Sequence, residues 1–547
     1  MEFSQFGHTC FQRVLAVHFL VSLGNLYLDW PALAGPGSGL LDCQSAMNSI
    51  RSELEPLAIF FFFPSLLWFL TPSQLFTLGL AAGVAGLVTP RWQSSLCMYL
   101  VWISFGICRG VMLWFPWDCL LAESLLIAAV APHAVWPYRL LAFRVLLGFG
   151  KHKFLGAGFD DIDYLQTMSC WQPMSTNLGF LASLKFPKWF HRIGLLFTFV
   201  SEILLPGFLL VPERFPKLAS LAAKCAVVLM LGIQLLGHFG WFNTLTSAIA
   251  IFAVSRGPGP RGFPAWTYCF FSLVFLIPSQ WNSPAVFYHE RFPFGGVFAS
   301  LSSWRVLHSY GVFPPRALPM LKPVGRFEAL CSGGWEPSEF KFLTVSKSED
   351  FGYPPFTLAP LRFPRVDYIL GFYSASHVFS LVSGLGPLYG TGQEWADGVV
   401  RKIIKDPKSA ELWFKSPVCE EVAAMRLMMV ALRPSESGWV EDSVHVDREW
   451  GIGSEVVEKT YVSQLPPDMW LLRHVSKSGE GSGVVEGGFN HSREWAGHLS
   501  CLTAFHLLPL SLHPRLCVEL LRQNRKDAEF KHTRIEVPEI VYWLLGI

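Results

Sequence analysis

Through the first half of the chain, apolar residues fall in long runs, each close to the roughly 20 residues that cross a hydrocarbon core. Ten such runs can be delimited: 11–30, 54–71, 73–90, 94–115, 117–132, 134–150, 190–212, 218–237, 239–255 and 263–280. The fifth and sixth are short and polar enough to be re-entrant or buried inside a bundle. Pro and Gly mark the turns between runs, at Thr89-Pro90, Pro212 and Gly257-Pro258-Gly259-Pro260. Residues 151–189 form a long hydrophilic interruption. After about residue 290 charged residues return and the long runs stop.

The pattern predicts a polytopic α-helical membrane domain of about 8–10 spans over 1–285. A β-rich, sandwich-like soluble domain with added helices follows over 286–436, and a carboxy-terminal extension over 437–547. Residues 291–312 read as a linker. Gly325–Cys331 and Glu339–Val345 have strand-like runs bounded by turn residues such as Gly333-Gly334. Segments 394–404 and 410–414 read as helical, and Pro417–Leu432 as either helix or strand. Residues 476–489 are Gly/Ser-rich and read as a loop. Phe11–Trp30 is too long for the apolar segment of a cleaved leader and reads as a retained signal anchor.

Composition agrees. Apolar residues make up 51% of the 547 and charged residues 15%, against about 25% charged in an average soluble domain. Mean hydropathy is +0.36. A disordered chain is excluded. The formal net charge of +2 gives no electrostatic case for nucleic acid. Basic turns at Arg91, Arg214/Lys217 and Arg256/Arg261 share one side if ten spans hold, and the positive-inside rule makes that side cytosolic or matrix-like. The 151–189 stretch and the polar half then face the lumen. Cys97, Cys108, Cys119, Cys225 and Cys269 fall inside candidate spans. Cys331, Cys419, Cys501 and Cys517 lie in the polar half and could pair in an oxidising compartment.

Charged side chains at membrane depth are costly and find partners inside the bundle. They are Arg109, Asp118, Glu123, Arg139, Arg144 and Glu202. Two acids and two bases in adjacent runs predict interhelical ion pairs that fix packing. No nucleophile elbow, Walker loop, dinucleotide fingerprint or zinc-protease motif occurs. No catalytic residue, metal site or cofactor is assigned. Asp160, Asp161 and Asp163 read as a solvated acidic loop, and Asn490-His491-Ser492 is a glycosylation sequon.

Several motifs, in order, resemble one family. Trp117-Asp118-Cys-Leu-Leu-Ala-Glu123 is followed by Tyr138-Arg139 through Arg144, and then by Gly148-Phe-Gly150-Lys151. Next come Asp160-Asp161, Tyr164-Leu165 and Pro173–Gly179, then Lys188-Trp189-Phe190-His191-Arg192 and Glu202–Pro206. Gly240–Thr246, with Asn243 inside it, closes the apolar half. In the polar half Arg305–Gly311, Gly325–Phe342, Pro354-Pro355-Phe356, Pro364-Arg365-Val-Asp367 and Gln393-Glu394-Trp395 continue the series. The chain resembles the lipase maturation factors over about residues 100–435. The resemblance implies a membrane domain with a lumenal β-sandwich-like domain. It also implies residence in the endoplasmic reticulum membrane and non-catalytic, chaperone-like assistance to the folding and dimer assembly of secreted lipases. The stretch Pro364–Ala375 departs from the family pattern, and residues after about 436 have no counterpart.

Three functions are weighed. In the first the chain is a folding factor whose partners are membrane lipids and lipase clients, with Trp335, Phe340, Phe356 and Trp395 as candidate apolar contacts. In the second it is a structural accessory subunit of a large membrane complex, for example in the mitochondrial inner membrane. The third, an enzyme resembling membrane carboxylases in topology, has no catalytic constellation behind it.

Overall fold

The computed structural model describes residues 3–281 apart from 35–42, 54–58, 61–62, 109–114, 158–163, 172–174, 238, 256 and 258–262. Beyond these it describes 304–308, 310, 322–338, 365, 400, 402–404, 406–414, 418–435, 438–451 and 459–460.

Twelve described helices are α1 (Phe3–Ala34), α2 (Cys43–Glu53), α3 (Pro72–Val88), α4 (Trp92–Ser104), α5 (Pro116–Val130), α6 (Trp136–Ala157), α7 (Tyr164–Trp171), α8 (Asn177–Lys185), α9 (Lys188–Phe199), α10 (Pro216–Leu236), α11 (Phe242–Ala253) and α12 (Phe263–Trp281). Among the described residues, three stretches are long and apolar enough to cross a membrane: Gly7–Ala34, Lys188–Leu209 and Pro216–Leu236. Shorter apolar helices cover Pro72–Val88, Phe242–Ala253 and Phe263–Val274. Exposed apolar side chains line the outer faces, such as Leu80 and Val84 on α3, Leu221 and Val228 on α10, and Phe263 and Trp266 on α12. That is the surface expected against lipid.

Helix contacts depend on small residues. A Cβ added at Gly79 would meet Leu23 Cδ2 at 2.8 Å, and one at Gly83 would run into Leu20 Cδ2. Glycines four apart therefore let α3 lie close against α1. Thr71 and Gln74 cap α3 reciprocally.

Two sequence expectations are corrected. Run 54–71 is not one spanning helix: its described part ends in bends and the 3₁₀ turn Leu66–Trp68. Ser65 and Ser104 tie that turn to the end of α4 through Ser65 Oγ to Ser104 O and Leu66 N to Ser104 Oγ. The described residues of 151–189 are not a loop but are largely helical, holding the end of α6 with α7 and α8. Tyr164 of α7 packs with Leu195 and Phe199 of α9 in a small cluster. Thr176 caps α8 by accepting from Gly179 N.

Among the described residues the polar half supplies five antiparallel strands, β1 (Lys322–Cys331), β2 (Gly334–Ser338), β3 (Ala424–Ser435), β4 (Gly438–Gly451) and β5 (Lys459–Thr460), in the order β2-β1-β3-β4-β5. Phe327 pairs with Leu427 in register. Phe327, Met425, Leu427, Val430 and Trp450 are buried. The open reading of Pro417–Leu432 resolves to strand, and 410–414 lies in the 3₁₀ turn Pro407–Leu412 and the two residues after it. The expected boundary at residue 436 falls between β3 and β4, so the sheet runs beyond it. Strand Glu339–Val345 and loop 476–489 lie outside the described residues. Cys331 and Cys419 form a disulfide across 88 residues. Cys43 is also disulfide-bonded.

Candidate functional site

The notable chemistry is a set of charges buried where apolar helices meet the polar half. Asp118 sits in the first turn of α5, where the helix dipole favours an anion. Its carboxylate is fully buried and accepts two hydrogen bonds of 2.8 Å from the Arg365 guanidinium. Arg365 comes from far along the chain and is itself fully buried. Its backbone N–H donates to Asp29 Oδ2 at 3.0 Å, which ties it to α1 as well. The guanidinium lies 5.8 Å from the Trp102 ring centre and 5.6 Å from that of Trp241, within cation–π range. Trp102 Nε1 donates to Asp118 O at 3.1 Å. Nearby, Trp413 Nε1 donates to Ala32 O at 3.2 Å.

A second centre forms around Glu123, about one and a half turns further along α5. Arg144 on α6 donates to Glu123 Oε1 at 2.5 Å, and both side chains are buried. Tyr268 on α12 donates to the same oxygen at 2.7 Å, and Tyr310 donates to Oε2 at 2.8 Å. Arg144 Nη2 donates to His308 O at 2.7 Å. Tyr99 donates its hydroxyl to Trp304 O. A Cβ at Gly148 would run into the Tyr310 carbonyl, so only glycine admits Tyr310 there. Irregular backbone of this kind is tolerated among spanning helices only when protein surrounds it. Burial, and then the Glu123 charge, push the Tyr310 phenol well above its ordinary range, so it remains a donor.

The other expected charges are also paired, though not all as predicted. Arg139 does not reach Asp118 or Glu123. It binds Glu213 through two bonds of 3.1 and 2.6 Å, and donates to Ala253 O and Ser255 O. Five residues of helix separate Arg139 from Arg144 by about 7.5 Å along the axis and turn them to different faces. Glu202 lies in the π-helical turn Val200–Leu204 and accepts two 2.7 Å bonds from Lys153. A Cβ at Gly150 would meet Glu202 Cβ at 2.6 Å, which explains a glycine opposite that turn. Arg109 lies outside the described residues.

The remaining motif positions divide clearly. Trp117 is buried and stacks on Phe115 at 4.7 Å. His191 Nε2 bonds Ala182 O at 3.1 Å and joins α9 to α8. Asn243 Nδ2 donates to Gln234 Oε1 at 3.0 Å and joins α11 to α10. Trp189 and Phe190 are exposed. Pro364 and Asp367 lie outside the described residues, as do Asp160, Asp161, Asp163, Phe340, Phe356 and Trp395. Trp335 is half-buried under Arg426, whose guanidinium carbon sits 4.2 Å from the ring centre. Arg426 and Arg326 both pair with Glu328. Among the described residues no group of three His, Cys, Asp or Glu side chains is placed to hold a metal.

The sequence missed the partners Glu213, Lys153, Tyr268 and Tyr310. The first two were readable as charges beside a span. The tyrosines carried no signal, because their role depends on where 268 and 310 fold.

These contacts order the bundle ends. Arg13 donates to Leu87 O, His8 lies 6.3 Å from His133, and Gly257 lies against Val135. With the Arg139–Glu213 pair, they bring the turns near 87–91, 131–139, 213 and 253–257 to one end. Asp29, Phe115, Trp241, Arg365 and Trp413 lie at the other.

Comparison with known proteins agrees with this architecture. Residues 6–257 match the family profile described as the lipase maturation factor transmembrane domain. The match begins well before Trp117, the first motif residue. Lipase maturation factor 2 of Gallus gallus is 26% identical over 296 residues, 46% of this chain and 40% of that protein. The Xenopus tropicalis protein of that name is 28% identical over 263 residues, 42% of this chain and 36% of its own length. The Homo sapiens protein is 24% identical over 288 residues, 45% and 39% of the two chains. The chain thus spans about two-fifths of the length of these curated relatives. No solved structure matches it significantly.

Proposed function

We propose that this chain, a divergent member of the lipase maturation factor family, is a non-catalytic folding and assembly factor for secreted lipases in the endoplasmic reticulum membrane. The observation that carries the reading is the family match over residues 6–257. The relatives' names supply the client class. The Cys331–Cys419 disulfide supports an oxidising compartment for the sheet. The buried pairs support a rigid scaffold: Asp118–Arg365 and the Glu123 centre hold polar-half segments against the helices. Such a scaffold is suited to presenting sheet surface beside the membrane to an immature subunit. The domain division at about 285 belongs to this proposal, with the polar half as the client-facing part.

The test is complementation. The full chain is expressed in cells lacking their own maturation factor, and active secreted lipase is compared with total lipase synthesised. A rise in the active fraction at constant synthesis supports the reading. No change refutes it, as does a gentle-detergent purification that yields fixed stoichiometry with one set of membrane-complex subunits.

A further inference from the structure

We propose that the α8–α9 elbow is an interfacial anchor that binds acidic phospholipid headgroups in the leaflet beside the sheet. The elbow joins α8 to α9 through Phe186-Pro187. Leu178, Leu181 and Lys185 lie exposed along one face of α8, at spacings of three and four. Beyond the turn, α9 exposes Trp189, Phe190, Ile193 and Leu196 together with Lys188 and Arg192. Trp189 is 61% exposed, although tryptophan is ordinarily well buried. The opposite faces are anchored: Phe180 and Ala182 are buried, Gln166 Nε2 donates to Ser183 O, and His191 bonds Ala182 O. The outward face is therefore fixed by packing.

Two observations identify the occupant. First, α9 opens the stretch Lys188–Leu209, which is long enough to cross the membrane, and exposed apolar residues recur along it at Ile193, Leu196 and Leu204. Lipid on the span reaches the elbow by continuity. Second, among the described residues of the two helices, the exposed charges Lys185, Lys188 and Arg192 have one sign. Among the described residues neither Lys185 nor Arg192 has a carboxylate at ion-pair distance, whereas the buried cations Arg139, Arg144, Lys153 and Arg365 each have one. Aromatic rings flanked by such cations at the end of a span suit the headgroup layer. Cations near an anionic surface each contribute about fivefold to attraction. The elbow lies at the end of the bundle that carries Arg365, since Thr176 Oγ1 donates to Leu235 O, close to Trp241 at the start of α11.

The test uses the full chain purified in mild detergent with an equimolar mixture of phosphatidylserine and phosphatidylcholine. Native mass spectrometry reads the ratio of the two lipids retained. The wild type should retain phosphatidylserine preferentially. The double variant Lys185→Gln/Arg192→Gln should lose at least about fivefold of that preference. Arg91→Gln/Lys217→Gln, which removes two exposed cations at the opposite end, should leave it unchanged and controls for general charge. A diazirine-bearing leucine analogue in place of Leu181 should crosslink to lipid in cells. Equal retention of the two lipids, an equal effect of both double variants, or crosslinking to a protein instead would overturn the assignment.

Discussion

Replacing Asp118 by Asn separates docking from mere proximity. In the native chain the Arg365 guanidinium is fully buried and the Asp118 carboxylate accepts two bonds of 2.8 Å from it. The amide of the Asp118→Asn variant keeps the shape but removes the charge, leaving a cation between Trp102 and Trp241. Breaking a buried pair by losing one partner costs about 3–5 kcal/mol. At about 1.4 kcal/mol per decade, a loss of about 3 kcal/mol raises the undocked fraction of the 365 segment by roughly a hundredfold. The double variant Asp118→Leu/Arg365→Met removes both charges at similar volume and should recover most of that loss, because two apolar groups leave no orphan. The assay is limited proteolysis of the full chain in nanodiscs, reading the initial cleavage rate near residue 365 under conditions where opening is fast relative to cleavage. The single variant should be cut far faster than wild type, and the double only a few-fold faster. The difference should persist at high salt, because buried charges are weakly screened. A single variant as resistant as wild type, or a double variant as sensitive as the single, would refute the docking.

Further outcomes follow from the same geometry. Gly148→Ala drives a Cβ into the Tyr310 carbonyl and should destabilise by about 1–3 kcal/mol, lowering the melting temperature of the detergent-solubilised chain; Gly106→Ala, with nothing within 4 Å, is the control. Tyr310→Phe deletes a 2.8 Å bond to a buried carboxylate and should cost about 1.5–3 kcal/mol, read in the same melt. Charge exchange between Lys153 and Glu202 should show coupling: each single reversal should collapse expression, and the double reversal should restore part of it. Cys331→Ser opens a disulfide spanning 88 residues and should cost about 2–5 kcal/mol, with a mobility change on non-reducing gels that reduction abolishes for the wild type.

Hydropathy alone set the broad division of the chain. Long apolar runs cannot be soluble loops, and charges inside them must be paired, whatever the fold. That charges of the two adjacent runs would pair was readable, because adjacent helices generally pack; that Arg144 and not Arg139 meets Glu123 was not. Motif order carried the family, and the structure gave several of its positions a physical reason. Gly148 and Gly150 are required by what approaches them, His191 and Asn243 by the helices they tie together.

The tertiary structure alone decided the partners of Asp118 and Arg139. Nothing local links residue 118 to residue 365, which lies beyond the apolar half. Only the return of the chain to the bundle brings a guanidinium to that carboxylate. Tyr310 reaches Glu123 by the same return. Helical phase, which turns Arg139 away from Arg144, sends it to Glu213. Short-range pattern marks long apolar helices such as α1 and α10 and shows which charges need partners, but it misread 54–71 and 151–189. The identity of a partner at long separation depends on chain topology, and the local sequence does not encode that directly.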